Sequence, residues 1–427
     1  MADPGTRRRR PPATADRFDG WRVVALLAAV LTLGVGITFY GLSVYLSALT
    51  RDDDGFTLTT VSVATSAFLV VAGVAGLPVG WLLERHDARA VLVGGLVASA
   101  LAVLAVGQVR DPAQLVAAYG VLGVGFAAIS VIPVSRVLAA WFVRRRARAM
   151  SVAFLGLPVG GAVVTPVVAA LVERHGVAGA SPFLAAALLL VAVPLCLLVQ
   201  PDPARVGQRA DGAAPVAEPD PAAAPAGGVP LAEAVRTPWF VTVTVALTLG
   251  MLSQLGALSH LYNAVAETSG VSTAAAVVSL LAAASLAGRI VGTWVFERVA
   301  LAHATVALLL LQSGALVCFA VAPGRAAVLA ATVAFGVSMG NMQVLQPLLI
   351  AERFGTRDFS RILARGNLAV MLGMAAGPVA VGVLHDAAGG YPTAYVAAAV
   401  PALLGAVLMA WASRSPVPSG LTHPDPS

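Results

Sequence analysis

Twelve stretches of this chain are apolar for long enough to cross a lipid bilayer, and that fact limits the possible folds more than any other. They run over 22–48, 57–82, 90–108, 114–140, 149–172, 182–200, 238–261, 272–296, 300–321, 326–350, 363–384 and 393–412. A helix rising 1.5 Å per residue needs about 20 residues to cover a hydrocarbon core of about 30 Å. The runs are too long for barrel strands and lack period-two alternation. Pro158, Pro166 and Pro378 fall inside them, which membrane helices tolerate. The chain is 58% hydrophobic and 11% charged, whereas soluble domains carry about 25% charged residues. The expected fold class is an all-α membrane protein, with twelve transmembrane helices in two six-helix halves.

All 27 basic residues are arginine, and their placement sets an orientation. With the N-terminus inside, the short cytoplasmic loops hold Arg85, Arg89, Arg144, Arg145, Arg146, Arg148, Arg298, Arg353, Arg357 and Arg361. The outer loops hold Arg51, Arg110, Arg174 and Arg325. This asymmetry puts both termini in the cytoplasm, and the expected location is the plasma membrane. It also accounts for the net charge of +6 without nucleic acid, which is not an expected partner. The richness in Ala, Gly, Pro and Arg points to a GC-rich bacterial genome. Cys196 and Cys318 lie in apolar runs and offer neither a metal spacing nor a disulfide. No cofactor is expected.

Residues 201–236 are rich in Pro and Ala and lack periodicity, which marks a flexible cytoplasmic linker. The expected organisation is a basic tail (1–21), a six-helix half (22–200), the linker (201–236), a second half (237–413) and a tail (414–427). The halves resemble each other. "LLER" at 82–85 recurs as "VFER" at 295–298, and Gly161 and Pro166 align with Gly373 and Pro378, at a near-constant offset. A duplicated unit of this kind places a site near the midplane, between the repeats.

"GWLLERHDAR" (80–89) is similar to the loop 2–3 signature of the major facilitator superfamily, Gly-x-Leu-x-Asp-Arg-x-Gly-x-Arg. Gly80, Leu82, Arg85 and Arg89 match, Glu84 replaces the Asp, and Asp87 stands at the second Gly. "GRIVGTWVFER" (288–298) resembles its second-half version, ending in Glu297 and Arg298. "WFVRRRARAMSVAFLGLPVGG" (141–161), "DGWRVV" (19–24), "SHLYNAVAETSGVS" (259–272) and "GPVAVGVLHDAAGGY" (377–391) resemble the monocarboxylate-porter and oxalate–formate-antiporter branches. The resemblance implies alternating access, with Gly80, Glu84, Arg85, Arg89, Glu297 and Arg298 at a cytoplasmic gate. The plainer reading of loop 80–89 is a basic loop that sets topology.

Arg289 stands out because it lies inside an apolar run. It is eight residues before Glu297, hence about 12 Å from the cytoplasmic boundary and near the midplane. A charge there costs roughly 2.5 kcal/mol or more unless it meets water or a partner. No Asp or Glu lies within the twelve runs. The expectation is that Arg289 projects into a water-filled cavity between the halves and pairs with a carboxylate, which suits its planar fork. The resemblance agrees, since those branches place a substrate-binding arginine here. The alternative is a structural arginine bonded to carbonyls. Ser285 replaces the Asp that proton-coupled porters carry one turn earlier, and their helix 1 lysine is missing from the "FYGLSVY" region around Tyr40.

His260 sits at the outer end of helix 7, either as a hydrogen-bonded surface group or in substrate access and protonation. Asn341, Gln343 and Gln346 either line the cavity or bridge helices. The substrate-binding set is therefore Arg289, His260, Asn341, Gln343 and Tyr40. The expected function is secondary transport of a small organic anion, a carboxylate, by a monomer in the lipid bilayer. The alternative is efflux of an apolar or drug-like compound with Arg289 structural. An intramembrane enzyme is disfavoured, because no HExxH and no nucleophile–base constellation occurs.

Overall fold

A computed structural model describes residues 18–50, 56–212, 228–321 and 324–414. Most of the two tails and the middle of the linker lie outside these residues. The membrane helices are α1 (Gly20–Leu49), α2 (Leu58–Arg85), α3 (Ala88–Val106), α4 (Pro112–Trp141), α5 (146–175), α6 (177–197), α7 (Pro238–Ser269), α8 (Val271–Val295), α9 (Leu301–Val321), α10 (Arg325–Phe354), α11 (Phe359–Ala388) and α12 (Tyr391–Ala412). Eleven helical stretches are long and apolar enough to cross a membrane among the described residues. One of them, Arg146–Leu197, has 52 residues, about 78 Å of helix and enough for two crossings. It breaks at Gly176, where φ is 67° and ψ 175°, a conformation that a residue with a Cβ rarely adopts. Eleven stretches thus contain the twelve expected crossings.

Local chemistry sets several of the starts. Thr57, Asp87, Asp111 and Thr237 each accept a hydrogen bond from a first-turn backbone N–H, which caps α2, α3, α4 and α7. Helix pairing in the first half is repeated in the second: α2 packs on α4 as α8 packs on α10, and α3 on α6 as α9 on α12.

The halves meet chiefly toward one end of the bundle, the end that carries the arginine-rich loops. There α2 runs along α11, and the adjoining parts of α4 and α5 touch α8, α10 and α11. The segments 41–49 and 112–129, at the opposite end, have no comparable contact with the second half.

The described parts of the linker are fastened at both ends. Asp211 accepts backbone N–H groups from Val143 (3.0 Å) and Arg144 (2.7 Å), and Arg205 pairs with Asp87. Past the middle, Val229 N–H donates to the Phe354 carbonyl (3.0 Å) and Leu231 N–H to Asp358 (2.8 Å). One anchor is on the first half, the other on the second.

Candidate functional site

Between the halves lies a cavity with about 650 Å³ of empty space, part of it open to solvent. The first half supplies Val35, Phe39 and Tyr40 from α1, Phe126, Ser130 and Val131 from α4, and Leu157 from α5. The second half supplies Leu247 and Met251 from α7, Met342, Gln343 and Gln346 from α10, and Asn367, Val370, Met371 and Met374 from α11. Phe39 stacks on Phe126 with ring centres 5.7 Å apart, which builds an aromatic wall. Four of the chain's eight methionines line the cavity. No Asp, Glu, Arg or His is among the lining residues.

On the arginine-rich side the cavity is closed by two seams. The first joins α2 to α11. Glu84 Oε1 accepts the backbone N–H of Ser360 (3.0 Å) in the first turn of α11, where a carboxylate is favoured by the helix dipole. A Cβ placed on Gly80 would lie 2.7 Å from the Ser360 carbonyl, so the seam needs glycine there.

The second seam joins α5 to α8 and α10. Arg289, 3% exposed, donates from Nε to the Gly340 carbonyl (2.5 Å) and from Nη1 to the Phe154 carbonyl in the other half. The Phe154 carbonyl is available for a local reason. In a regular helix it would accept from residue 158, which is Pro158 and has no N–H; it takes instead only the Leu157 N–H (3.1 Å) and keeps a lone pair for Arg289. Nearby, the Arg148 guanidinium lies 5.5 Å from the ring centres of both Trp21 in α1 and Trp294 in α8, bridging the halves by cation–π contact.

The profile of the Major Facilitator Superfamily matches residues 24–357. The chain belongs to this superfamily. Its members are transporters, not enzymes. Among solved structures, the Escherichia coli fucose:proton symporter FucP superposes with a TM-score of 0.72 at 15% identity, covering 93% of this chain and all of that one. A structure of FucP in the outward conformation gives 0.67 at 15% identity, covering 92% of this chain and 99% of that one. The human organic anion transporter TETRAN gives 0.68 at 13% identity, covering 94% of this chain and all of that one. At these identities the likeness is one of fold. A Gibberella fujikuroi protein, the fujikurins efflux protein, is 26% identical over 123 residues, which are 29% of this chain. The match spans only about a quarter (26%) of that relative's length.

Within this major facilitator fold the expected site residues separate. Tyr40 and Gln343 line the cavity; Arg289, Asn341 and His260 do not. Arg289 is placed otherwise than expected, in the closed seam against two carbonyls, and no carboxylate pairs with it among the described residues. Asn341 bridges helices, donating to the carbonyls of Gly288 (3.0 Å) and Val337 (2.9 Å). His260 Nε2 lies 3.1 Å from the Pro378 carbonyl, tying α7 to α11.

Of the gate residues, Gly80 and Glu84 are in the first seam. Arg85 stacks over Trp81 at 4.3 Å, and Arg89 donates to Gln200 Oε1 (3.0 Å), which holds α3 to the end of α6. Glu297 and Arg298 are exposed and make no ion pair or hydrogen bond to the first half among the described residues. In their place, Arg289 and Arg148 reach across the second seam. Sequence reasoning missed Phe154, Arg148, Trp294 and Asn367. Pro158 four residues after Phe154 was the available signal for the first of these.

Proposed function

We propose that this transporter exports an uncharged, largely apolar small molecule by alternating access, and that Arg289 fastens the halves together. The observation that carries this reading is the cavity wall: aromatic, aliphatic and methionine side chains with a few amides and hydroxyls, and no carboxylate, arginine or histidine. Methionine walls adapt to differently shaped apolar ligands. The likeness of part of the chain to an efflux protein points the same way. The halves are 22–200 and 237–413, with the arginine-rich end cytoplasmic and the protein monomeric in the plasma membrane. The conformation, joined at the arginine-rich end and apart at the other, is then outward-facing.

A second reading keeps the organic anion. Arg289 is a buried cation with no carboxylate partner among the described residues, and it is close enough to Tyr40 on the cavity wall to interact electrostatically. If the seam parted, the guanidinium would be exposed to a ligand.

Transport assays in proteoliposomes separate the two, using a labelled panel of neutral lipophiles, monocarboxylates and dicarboxylates with wild type and Arg289→Met. The proposal expects saturable transport of neutral compounds, no competition by carboxylates, and an Arg289→Met variant altered in rate for every substrate alike. Saturable carboxylate transport lost selectively in Arg289→Met would overturn it.

A further inference from the structure

The cavity's amides are not spread around its wall, whose other half carries only the hydroxyls of Tyr40 and Ser130. Gln346 and Asn367 face it from the parts of α10 and α11 nearest the closed end, with Gln343 one turn away on α10. Gln346 is 6% exposed, and its Nε2 has no hydrogen-bond partner. A buried amide N–H left unpaired is costly, on the order of 1–3 kcal/mol, so native proteins rarely keep one without a reason. The surroundings accommodate this amide. A Cβ on Gly366 of α11 would stand 2.8 Å from Gln346 Nε2 and 3.5 Å from Thr244 Oγ1, so glycine there leaves the amide its room. The opposite parts of the wall, around Phe39, Phe126, Met251 and Met374, carry no fully buried unpaired donor among the described residues.

We propose that the closed end of the cavity is a subsite for an uncharged hydrogen-bond acceptor, a carbonyl or similar oxygen, borne by an otherwise apolar ligand. Gln346 Nε2 donates to that oxygen, Asn367 and Gln343 flank it, and the ligand's body lies against the rings and methionines. This rests on the reading of the cavity as the substrate site and adds which end of the ligand enters first and what it carries. Neutral amides suit an acceptor without charge. A carboxylate would enter a low-dielectric pocket that has no cation in its wall, at a large desolvation cost. The hydrogen bond gives selectivity by the usual asymmetry: a ligand without the oxygen leaves Gln346 unpaired, and one with it satisfies the donor.

The test uses three probes with one body and three heads: 2-acetylnaphthalene, 2-ethylnaphthalene and 2-naphthoate. The full-length protein, carrying 13C-methyl methionine, is placed in nanodiscs, and the methyl signals of Met251, Met342, Met371 and Met374 are followed by NMR during titration. The ketone is expected to bind about fivefold more tightly than the hydrocarbon, the worth of one net hydrogen bond. In Gln346→Leu the two should become equal while the remaining methyl spectrum is unchanged; Asn367→Leu should narrow the ratio less. Equal affinity for ketone and ethyl compound in wild type, or a ratio that survives Gln346→Leu, overturns the subsite and leaves the apolar cavity standing. Tighter binding of the naphthoate than of both neutral probes, or no response of these methyls to any probe, overturns the cavity reading itself and the subsite with it.

Discussion

Gly80 and Glu84 hold the same contact in different ways, one by allowing close approach and the other by charge. Gly80→Ala would place a methyl 2.7 Å from the Ser360 carbonyl. Overpacking of this kind costs about 1–3 kcal/mol, here only in the state where α2 and α11 touch. The substitution should therefore shift the population toward the form open at the arginine-rich end, read as faster labelling of a cysteine at Ser360 by a membrane-impermeant maleimide applied to the face that carries that end. Glu84→Gln should act in the same direction and more weakly, since a carboxylate at a helix N-terminus is worth about 0.3–2 kcal/mol. The importance of these two positions could be read from the sequence, because a glycine and an acid recur there in a recognisable spacing. The partners of Arg289 could not. Its acceptor in the first half is a backbone carbonyl 135 residues away, and no side chain marks such an acceptor in a sequence.

At the level of elements, α5 owes its inter-half bond to an imperfection. Pro158 cannot donate to Phe154, so that carbonyl takes only the Leu157 N–H from its own helix and keeps a lone pair for Arg289. Pro158→Ala should restore a helical donor, draw the carbonyl back into α5, and weaken the second seam. The expected sign is that Pro158→Ala opens the arginine-rich end, in parallel with Arg289→Met; an effect in the opposite direction would separate the two residues. The strap at 201–212 has its own test. Burial pushes the pKa of the Asp87 carboxyl up, but the Arg89 N–H together with the Arg205 hydrogen bond and the Arg205 and Arg89 charges outweighs it, so the group sits below the usual carboxylate range. The strap contact is thus fully present above the ordinary aspartate range, near pH 4, and is lost as pH falls through the depressed value. Asp87→Asn should reproduce the released state at neutral pH, seen as faster tryptic cleavage after Arg205 and Arg209. The composition of 201–212, polar and without periodicity, gave no sign that Asp211 would reach back to cap loop 143–145; the apolar lengths that announce the crossings are a far stronger signal than a single capping side chain.

For the molecule as a whole, the two seams add. Removing the charged hydrogen bonds of Arg289 costs about 1.5–3 kcal/mol, and removing the Glu84 charge costs up to about 2. Inverting a 99:1 equilibrium takes about 5.5 kcal/mol. A Glu84→Gln, Arg289→Met double variant should therefore populate both conformations, not one. Spin labels at Ser43 and Asn263 on the outer ends, and at Val143 and Arg298 on the inner ends, should show two distance populations where wild type shows one; a single population unchanged from wild type would remove the seams from the gating account. The twelve crossings and the repeat were legible because length and offset survive in any apolar sequence, whereas the character of the cavity depends on which faces of six helices turn inward, and that is fixed only by packing. The methionine wall carries a consequence for redox chemistry. Each thioether is a target for oxidants, and each sulfoxide would put a strong dipole where the pocket is apolar. Met251, Met342, Met371 and Met374 are reachable mainly through the cavity, so their oxidation rate becomes a clock for its vacancy: a bound ligand, or closure at the outer end, should slow peroxide oxidation of these four and leave Met409 on α12 unaffected.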